Sequence, residues 1–221
     1  MNRFLQLTAA FALSASSASA LSFGGGQITL GYDFNFANPA RDTPHIEASF
    51  VFDLSDRFAL QLDANYATYS AGAYPRFSIG AHASYQISPS LTAGVFYAST
   101  DWTGNPEDYY GLELRYDMNA LSIEGYVSFA SWDDTIIGVD GRYAMNDKLS
   151  ILAGGAGYTD TLYIYAGGAY QMSNALALEA TVGNLSYGSN NELVVTLDLV
   201  YSFGGAAVWG PRSFTPIFPA Y

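Results

Sequence analysis

The feature that most constrains this chain is an alternation of apolar and polar residues with a period of two. From Gln27 to Phe36 every even position is apolar or aromatic, and every odd position is polar or glycine. The alternation recurs in twelve segments, which start near residues 27, 45, 58, 76, 91, 109, 121, 135, 149, 162, 175 and 192. Because successive side chains of a strand point to opposite faces, each segment predicts a β-strand with one apolar face.

The length of these segments suggests where the apolar faces go. Most run for about 9–12 residues, which is the length that a tilted strand needs to cross the hydrocarbon core of a bilayer. Strands of soluble proteins are shorter, at about 5–6 residues. A soluble β-sandwich or ligand-binding barrel is the alternative, but twelve long apolar faces turned inward would need an oversized core. We therefore predict an all-β fold, an antiparallel up-and-down transmembrane β-barrel of 12 strands.

The connections between the segments fall into two alternating kinds. Five are tight, at 55–57, 88–90, 119–120, 146–147 and 173–174, and are rich in hairpin-turn residues. The other six are more variable, at 37–43, 70–74, 100–107, 131–134, 159–160 and 186–191. Outer-membrane barrels combine short periplasmic turns with longer outer loops. We therefore assign the tight turns, and both ends of the barrel, to the periplasmic side.

An aromatic residue recurs three positions before each tight turn. The four-residue stretches are "FDLS", "YQIS", "YDMN", "YAMN" and "YQMS", and "YSFG" begins at Tyr201. All the aromatic residues lie on the apolar parity of their strands, so we predict an inner aromatic girdle at headgroup depth. Its members are Phe52, Tyr85, Tyr116, Tyr143, Tyr170, Tyr201 and Phe203. An outer girdle is predicted from Phe34, Phe36, Tyr66, Tyr97, Tyr110 and Phe129.

The N-terminal segment has the features of an export signal. Arg3 precedes an apolar run from Phe4 to Leu13, and "ASA" at 18–20 supplies a cleavage site, so residues 1–20 are predicted to be a signal peptide. No stretch reaches the 18 apolar residues of a spanning helix. The chain contains no Cys, so no disulfide framework stabilises it. The predicted units are the signal peptide, a barrel over 21–203 and a C-terminal extension over 204–221.

The mature sequence resembles the small porin-like outer-membrane β-barrels of Gram-negative bacteria. The likeness covers about residues 27–203 and rests on the signal peptide, the alternating segments, the aromatic turn motifs and "LVVTLDLVYSF" at 193–203. That last stretch looks like the strand signal recognised by the barrel-assembly machinery. The resemblance implies an outer-membrane location, contact with lipid and lipopolysaccharide, and passage of small solutes. Such barrels usually end at the terminal aromatic residue, whereas this chain continues for 18 residues.

The polar parity gives a set of residues predicted to line the pore. They are Asp33, Glu47, Asp53, Asp63, Arg76, His82, Glu113, Arg115, Asp117, Glu124, Asp140, Arg142, Glu179 and Asp198, with His45 beside them. Acidic residues outnumber basic ones, so we predict a hydrated lumen that favours neutral or cationic solutes. Channels for sugar acids in the resembled family line their pores with Arg and Lys, which this lumen does not. No cofactor, metal site or nucleic-acid groove is predicted.

The sequence leaves three alternatives to a channel. A non-conducting structural or surface-interaction barrel is the first alternative, and an autotransporter translocator is a weaker one. A lipid-modifying enzyme comes last: His82 and Ser84 match the His-x-Ser spacing of lipid A deacylases, but the rest of that motif is missing. A lumen histidine bonded to a carboxylate explains His82 better, so we predict no catalytic residue.

The C-terminal extension, "GGAAVWGPRSFTPIFPAY", is too apolar for an ordinary disordered tail. Its prolines exclude a thirteenth central strand. Two neighbouring segments, near 149 and 162, carry no inward charge and present small and aromatic residues. We therefore consider two interpretations, a tail docked in the lumen on that wall and a tail that lies at the periplasmic rim. The wall consists of Leu152, Gly154, Ala156, Tyr158, Tyr163, Tyr165, Gly167 and Ala169, extended by Val194 and Val200.

Overall fold

The structure is a computed structural model, and it describes residues 22–69, 75–102, 105–131, 134–205 and 209–210. The predicted signal peptide lies outside the described residues. Twelve strands account for nearly all of the described chain. They are β1 (Ser22–Asn35), β2 (Thr43–Asp53), β3 (Phe58–Thr68), β4 (Pro75–Ser88), β5 (Leu91–Trp102), β6 (Asn105–Met118), β7 (Leu121–Ala130), β8 (Thr135–Ala144), β9 (Leu149–Tyr158), β10 (Thr161–Gln171), β11 (Leu176–Tyr187) and β12 (Asn190–Gly204).

The strands form one closed antiparallel barrel in which each strand pairs with its neighbours in the sequence. Closure is made by β1 and β12, which pair from Gly26 opposite Phe203 to Asn35 opposite Val194. The predicted fold class is therefore confirmed. The described helical structure is a single 3₁₀ turn, Pro39–Arg41, whose N-cap is Asn38. No helix among the described residues is long and apolar enough to cross a membrane.

The connections differ from the prediction on the outer side. The segment 100–107 was expected to be a loop, but β5 and β6 continue through it and pair Asp101 with Pro106, leaving two residues between the strands. The segment 186–191 is likewise mostly strand, around a turn at 188–189. Polar residues can continue a hairpin beyond the bilayer because water solvates both faces there. Polar composition was therefore mistaken for a loop.

The burial pattern shows which face of each strand points outward. Along β3, Gln61, Asp63 and Asn65 are buried, whereas Leu62 and Tyr66 are exposed. Apolar side chains are exposed along the other strands as well, and they include Leu30, Ile46, Ile79, Val95, Leu112, Ile137, Val139, Ile151, Leu162, Ile164, Val182 and Leu199. An apolar exterior around a polar interior is the arrangement of a transmembrane barrel.

Aromatic side chains lie at both edges of this apolar exterior. Tyr85, Tyr116, Tyr143, Tyr170 and Tyr201 are exposed, next to the turns that we assign to the periplasm. Phe52 and Phe203 are half-buried because both pack against Phe23, at ring-centre distances of 5.9 and 6.0 Å. Phe23 was missing from the predicted girdle. The six residues predicted for the outer girdle are exposed at the opposite ends of their strands.

The lipid-facing assignment can be tested at Leu112, which is 57% exposed near the middle of β6. Leu112→Arg should reduce the stability of the barrel in lipid vesicles by about 2–4 kcal/mol, since a charge at the bilayer midplane is desolvated. The matched control is Met145→Arg, in a turn at the edge of the barrel, where the expected loss is about 0–1 kcal/mol. Equal losses in urea titrations of the two variants would mean that Leu112 does not face lipid.

Candidate functional site

A cavity of about 600 Å³ lies inside the barrel. It is lined mainly by inward residues of β1, β2 and β6–β12, together with two residues of the C-terminal extension. The charged lining residues are Asp33, His45, Glu47, Arg115, Glu124, Asp140, Arg142, Glu179 and Asp198. Tyr163, Tyr165 and Trp209 supply aromatic surface, and Gln27, Gln171 and Ser202 lie towards the periplasmic end. The volume is within the range of pockets that hold small molecules.

The cavity is acidic. Its lining contains six carboxylates and two guanidinium groups, so the formal charge is 2 − 6 = −4 with His45 neutral and −3 with His45 protonated. Two pairs of carboxylates also face each other directly across neighbouring strands, Glu124 opposite Asp140 and Glu179 opposite Asp198. Like charges at opposed positions of a sheet destabilise it. The arrangement therefore favours water and cations in the cavity.

Both arginines of the cavity bind carboxylates. Arg115 donates to both carboxylate oxygens of Asp117 at 3.1 Å, two positions along the same strand. Arg142 of β8 forms an ion pair with Glu179 of β11. That pair spans β9 and β10, whose inward residues along this path are Leu152, Gly167 and Ala169. The small, uncharged wall noted in the sequence thus lets Arg142 reach across two strands.

His45 joins two acidic residues of the barrel seam. Its Nε2 lies 3.1 Å from Oδ1 of Asp198 on β12, and its Nδ1 lies 3.6 Å from Oδ2 of Asp33 on β1. Asp33 also accepts a hydrogen bond of 2.6 Å from Thr196. A protonated imidazole has two N–H donors and no acceptor, so it suits a position between two carboxylates.

His82 makes a second bridge of the same kind, buried among β3, β4 and β6. Its Nε2 lies 2.7 Å from Oδ2 of Asp63, and its Nδ1 lies 2.8 Å from Oε1 of Glu113. The side chains of His82 and Glu113 are fully shielded from solvent. Ser84 donates instead to the carbonyl oxygen of Ala59 at 3.4 Å. His82 and Ser84 therefore do not form the hydrogen-bonded pair that a serine nucleophile needs.

The outer half of the interior contains a buried apolar cluster. Its members are Phe96, Ala98, Tyr109, Ala130, Ile136, Ala156, Tyr163, Leu185 and Val194, and Tyr126, Tyr158, Tyr165 and Tyr187 pack against it. Tyr109 and Ile136 are completely buried. Arg76 is also buried at this level, 4.9 Å above the ring of Tyr69. The interior thus contains an open acidic cavity and, towards the outer ends of the strands, a filled apolar cluster.

The structure divides the residues predicted to line the pore into two groups. Those at the cavity are Asp33, Glu47, Arg115, Glu124, Asp140, Arg142, Glu179 and Asp198. Of the others, Asp63, Arg76, His82 and Glu113 are buried in the wall, Asp117 pairs with Arg115, and Asp53 is exposed at the end of β2. Alternation in the sequence identified the inward face but could not distinguish open from filled levels of the interior.

Gln61 was not among the residues predicted to line the pore, and it binds the C-terminal extension. Gln61 is 1% exposed and bonds to both Asp63 and the backbone of Trp209. Trp209, also 1% exposed, lies against β3 and not on the wall of β9 and β10, which was one of the two positions considered for the extension. No signal of periodicity marks a polar residue that binds a distant segment. In the described part of the chain, no group of three or more His, Cys, Asp or Glu side chains could hold a metal ion.

No protein-family model matches the sequence, and no curated protein matches it either. Solved structures do match. A KdgM porin in complex with disordered oligogalacturonate is 12% identical, with 80% of this chain and 99% of that chain covered and a TM-score of 0.66. The Acinetobacter baumannii outer membrane protein Omp33 is 11% identical, with 82% of this chain and 99% of that chain covered and a TM-score of 0.60. The NanC porin is 9% identical, with 82% of this chain and 99% of that chain covered and a TM-score of 0.59.

The chain has the fold of the small outer-membrane porins. At these identities the likeness is one of fold. A closed barrel with an apolar exterior and aromatic edges is an integral protein of a bacterial outer membrane. The comparisons thus agree with the location expected from the sequence.

The His82 bridge can be tested by removing its centre. His82→Ala should lower the free energy of unfolding by about 3–5 kcal/mol, because it leaves two buried carboxylates without their partner. Adding Asp63→Asn and Glu113→Gln should recover part of this loss. Ser84→Ala is the control and should change stability little, since its long hydrogen bond of 3.4 Å goes to the carbonyl oxygen of Ala59 and not to the bridge. A loss as large for Ser84→Ala as for His82→Ala in urea titrations would contradict this account.

Proposed function

We propose that this protein is a porin-like channel for the passive diffusion of small neutral or cationic solutes. The observation that carries the proposal is the cavity of about 600 Å³ with six carboxylates and two guanidinium groups in its lining. Side chains can fill an eight-stranded barrel, whereas sixteen strands leave an open channel. Twelve strands lie between these limits and suit a narrow conduit.

The charge of the cavity argues for the class of solute. Acidic residues lining a pore favour cations, because their field raises the local concentration of positive ions and excludes anions. One similar structure is a KdgM porin with oligogalacturonate, which is an anionic oligosaccharide. The carboxylates of this cavity would repel such a chain. We therefore do not extend that ligand to this protein.

The apolar cluster of the outer half sets a limit on the proposed channel. Tyr109 and Ile136 are completely buried, so side chains fill the interior at this level. Hydrophobic constrictions can gate a pore by excluding water. The same cluster favours a second candidate, a barrel that does not conduct and acts through its surface. Electrical recording distinguishes the two, because only the channel carries current.

The selectivity of the channel can be tested by neutralising three cavity residues together. Glu47→Gln, Glu124→Gln and Asp140→Asn should move the reversal potential in a KCl gradient towards zero, since they remove three negative charges from the lining. The control variant carries Asp56→Asn, Asp147→Asn and Asp160→Asn, three charges in exposed turns. It should keep the cation preference. Anion preference in the unmodified protein would overturn the proposed solute class.

The constriction can be tested in the same recordings. Ile136→Ala should raise the single-channel conductance, because it shortens a completely buried side chain of the apolar cluster. Ile137→Ala is the matched control: it is the next residue, 65% exposed on the lipid face, and should leave conductance unchanged. Absence of current from the unmodified protein and from Ile136→Ala alike would favour the non-conducting barrel.

A further inference from the structure

The C-terminal extension re-enters the barrel, and a buried glutamine binds its backbone there. The backbone N–H of Trp209 donates to Oε1 of Gln61 at 3.0 Å, and Nε2 of Gln61 donates to the carbonyl oxygen of Trp209 at 2.9 Å. The two bonds reproduce the pairing that a neighbouring strand would offer. Gln61 is itself fixed by a bond of 2.9 Å from Nε2 to Oδ1 of Asp63, beside the His82 bridge.

The indole of Trp209 occupies a recess made by a glycine. A Cβ atom on Gly94 would lie 2.9 Å from Cζ2 of Trp209 and 2.8 Å from Oε1 of Glu113. Any other residue at this position would therefore collide with the ring or with Glu113. The indole is buried, and its Nε1 has no hydrogen-bond partner in the described structure. Shape and the two backbone bonds, rather than a bond to the indole, hold Trp209 in place.

The route into the lumen is short. At the end of β12, Gly204 has a φ of +70°, which glycine adopts without strain, and the N–H of Gly205 donates to the carbonyl oxygen of Gly24 at 2.5 Å. Three residues separate Gly205 from Trp209, so the two Cα atoms are four residue steps apart and at most about 14 Å from each other. Trp209 is therefore confined to the periplasmic half, where Gly210 donates to Glu124 at 3.4 Å.

We propose that Trp209 and Gly210 form a plug within the lumen, held in a socket of Gln61 and Gly94, that narrows the channel from the periplasmic side. The proposal rests on the proposed function only where it concerns conduction. Trp209 and Gly210 line the same cavity as Glu124 and Asp140, so removing them enlarges the space through which solutes pass. Gln61 binds the backbone of Trp209, and Gly94 leaves space for its indole ring. The occupant of the socket is therefore a residue of the protein's own C-terminal extension.

The socket is tested first, by fluorescence. The chain contains three tryptophans, so the fluorescence of Trp209 is obtained by subtracting the signal of Trp209→Phe from that of the unmodified protein. Its quenching by acrylamide is then measured. Gln61→Met keeps the volume of the side chain but removes both backbone bonds, so quenching should rise several-fold. Gly94→Ala should do the same by filling the recess. The controls are Ser49→Ala, also 1% exposed and inward, and Gly80→Ala, where a Cβ makes an ordinary contact of 3.5 Å. Unchanged quenching in both socket variants would overturn the socket.

The plug is tested next, by truncating the chain after Gly205. Single-channel conductance should rise by about twofold or more, since the wider lumen holds more water and ions. Thr29→Cys gives a second measure: Thr29 lines the cavity but is 5% exposed, and the chain has no other cysteine. A hydrophilic thiol reagent added from the periplasmic side should label it several-fold faster after truncation. Mobility on cold SDS gels verifies that each variant is folded.

The outcomes separate this inference from the proposed function. Faster labelling with no current in any variant supports the plug and counts against the channel. Current that is the same before and after truncation, together with unchanged labelling at Thr29, supports the channel and overturns the plug. A rise in quenching for Gln61→Met without faster labelling would mean that the socket holds the extension but does not obstruct the lumen, and would also overturn the plug.

Discussion

Pairing of the first and last strands is the constraint on which the rest of this structure depends. Hydrocarbon offers no hydrogen-bond partner, so every backbone group of a spanning strand must be bonded within the protein. A sheet meets this condition only when it closes, and here β1 and β12 close it over ten residue pairs from Gly26–Phe203 to Asn35–Val194. Closure creates an interior cut off from lipid, and the polar side chains of that interior must then be satisfied by one another or by water.

The two histidines show how the interior meets that demand. With few basic residues, the chain has little positive charge to compensate its inward carboxylates. Placing one imidazole between two carboxylates, as at His45 and His82, lets each ring serve two acids. Where carboxylates oppose each other without an intervening histidine, as at Glu124 and Asp140, the cavity is open instead. The His82 bridge is thus buried in the wall, whereas the His45 bridge lines the cavity, where acidic residues outnumber basic ones.

The sequence predicted the barrel well because strand parity is a local property. The alternation along β3 alone separates the buried Gln61 and Asp63 from the exposed Leu62. Contacts across the lumen follow no such rule. His82 meets Glu113 two strands away, and Arg142 meets Glu179 three strands away, so neither pair is coded by sequence spacing or by strand neighbours. Alternation did not predict that β5 and β6 extend into the segment 100–107, because beyond the membrane both faces of a hairpin can be polar.

The position of Trp209 follows from the needs of a backbone rather than of a side chain. The wall of β9 and β10 offers an apolar surface, but Leu152 and Ala169 have no polar side-chain group to bond an entering peptide, and the hydroxyl of Tyr165 already donates to Asp140. A buried N–H or C=O without a partner costs about as much as a lost hydrogen bond. Gln61 supplies one donor and one acceptor at adjacent atoms, which is what a single residue of an incoming chain requires. Hydrophobicity can bring the extension into the barrel, but the amide of Gln61 determines where it stops.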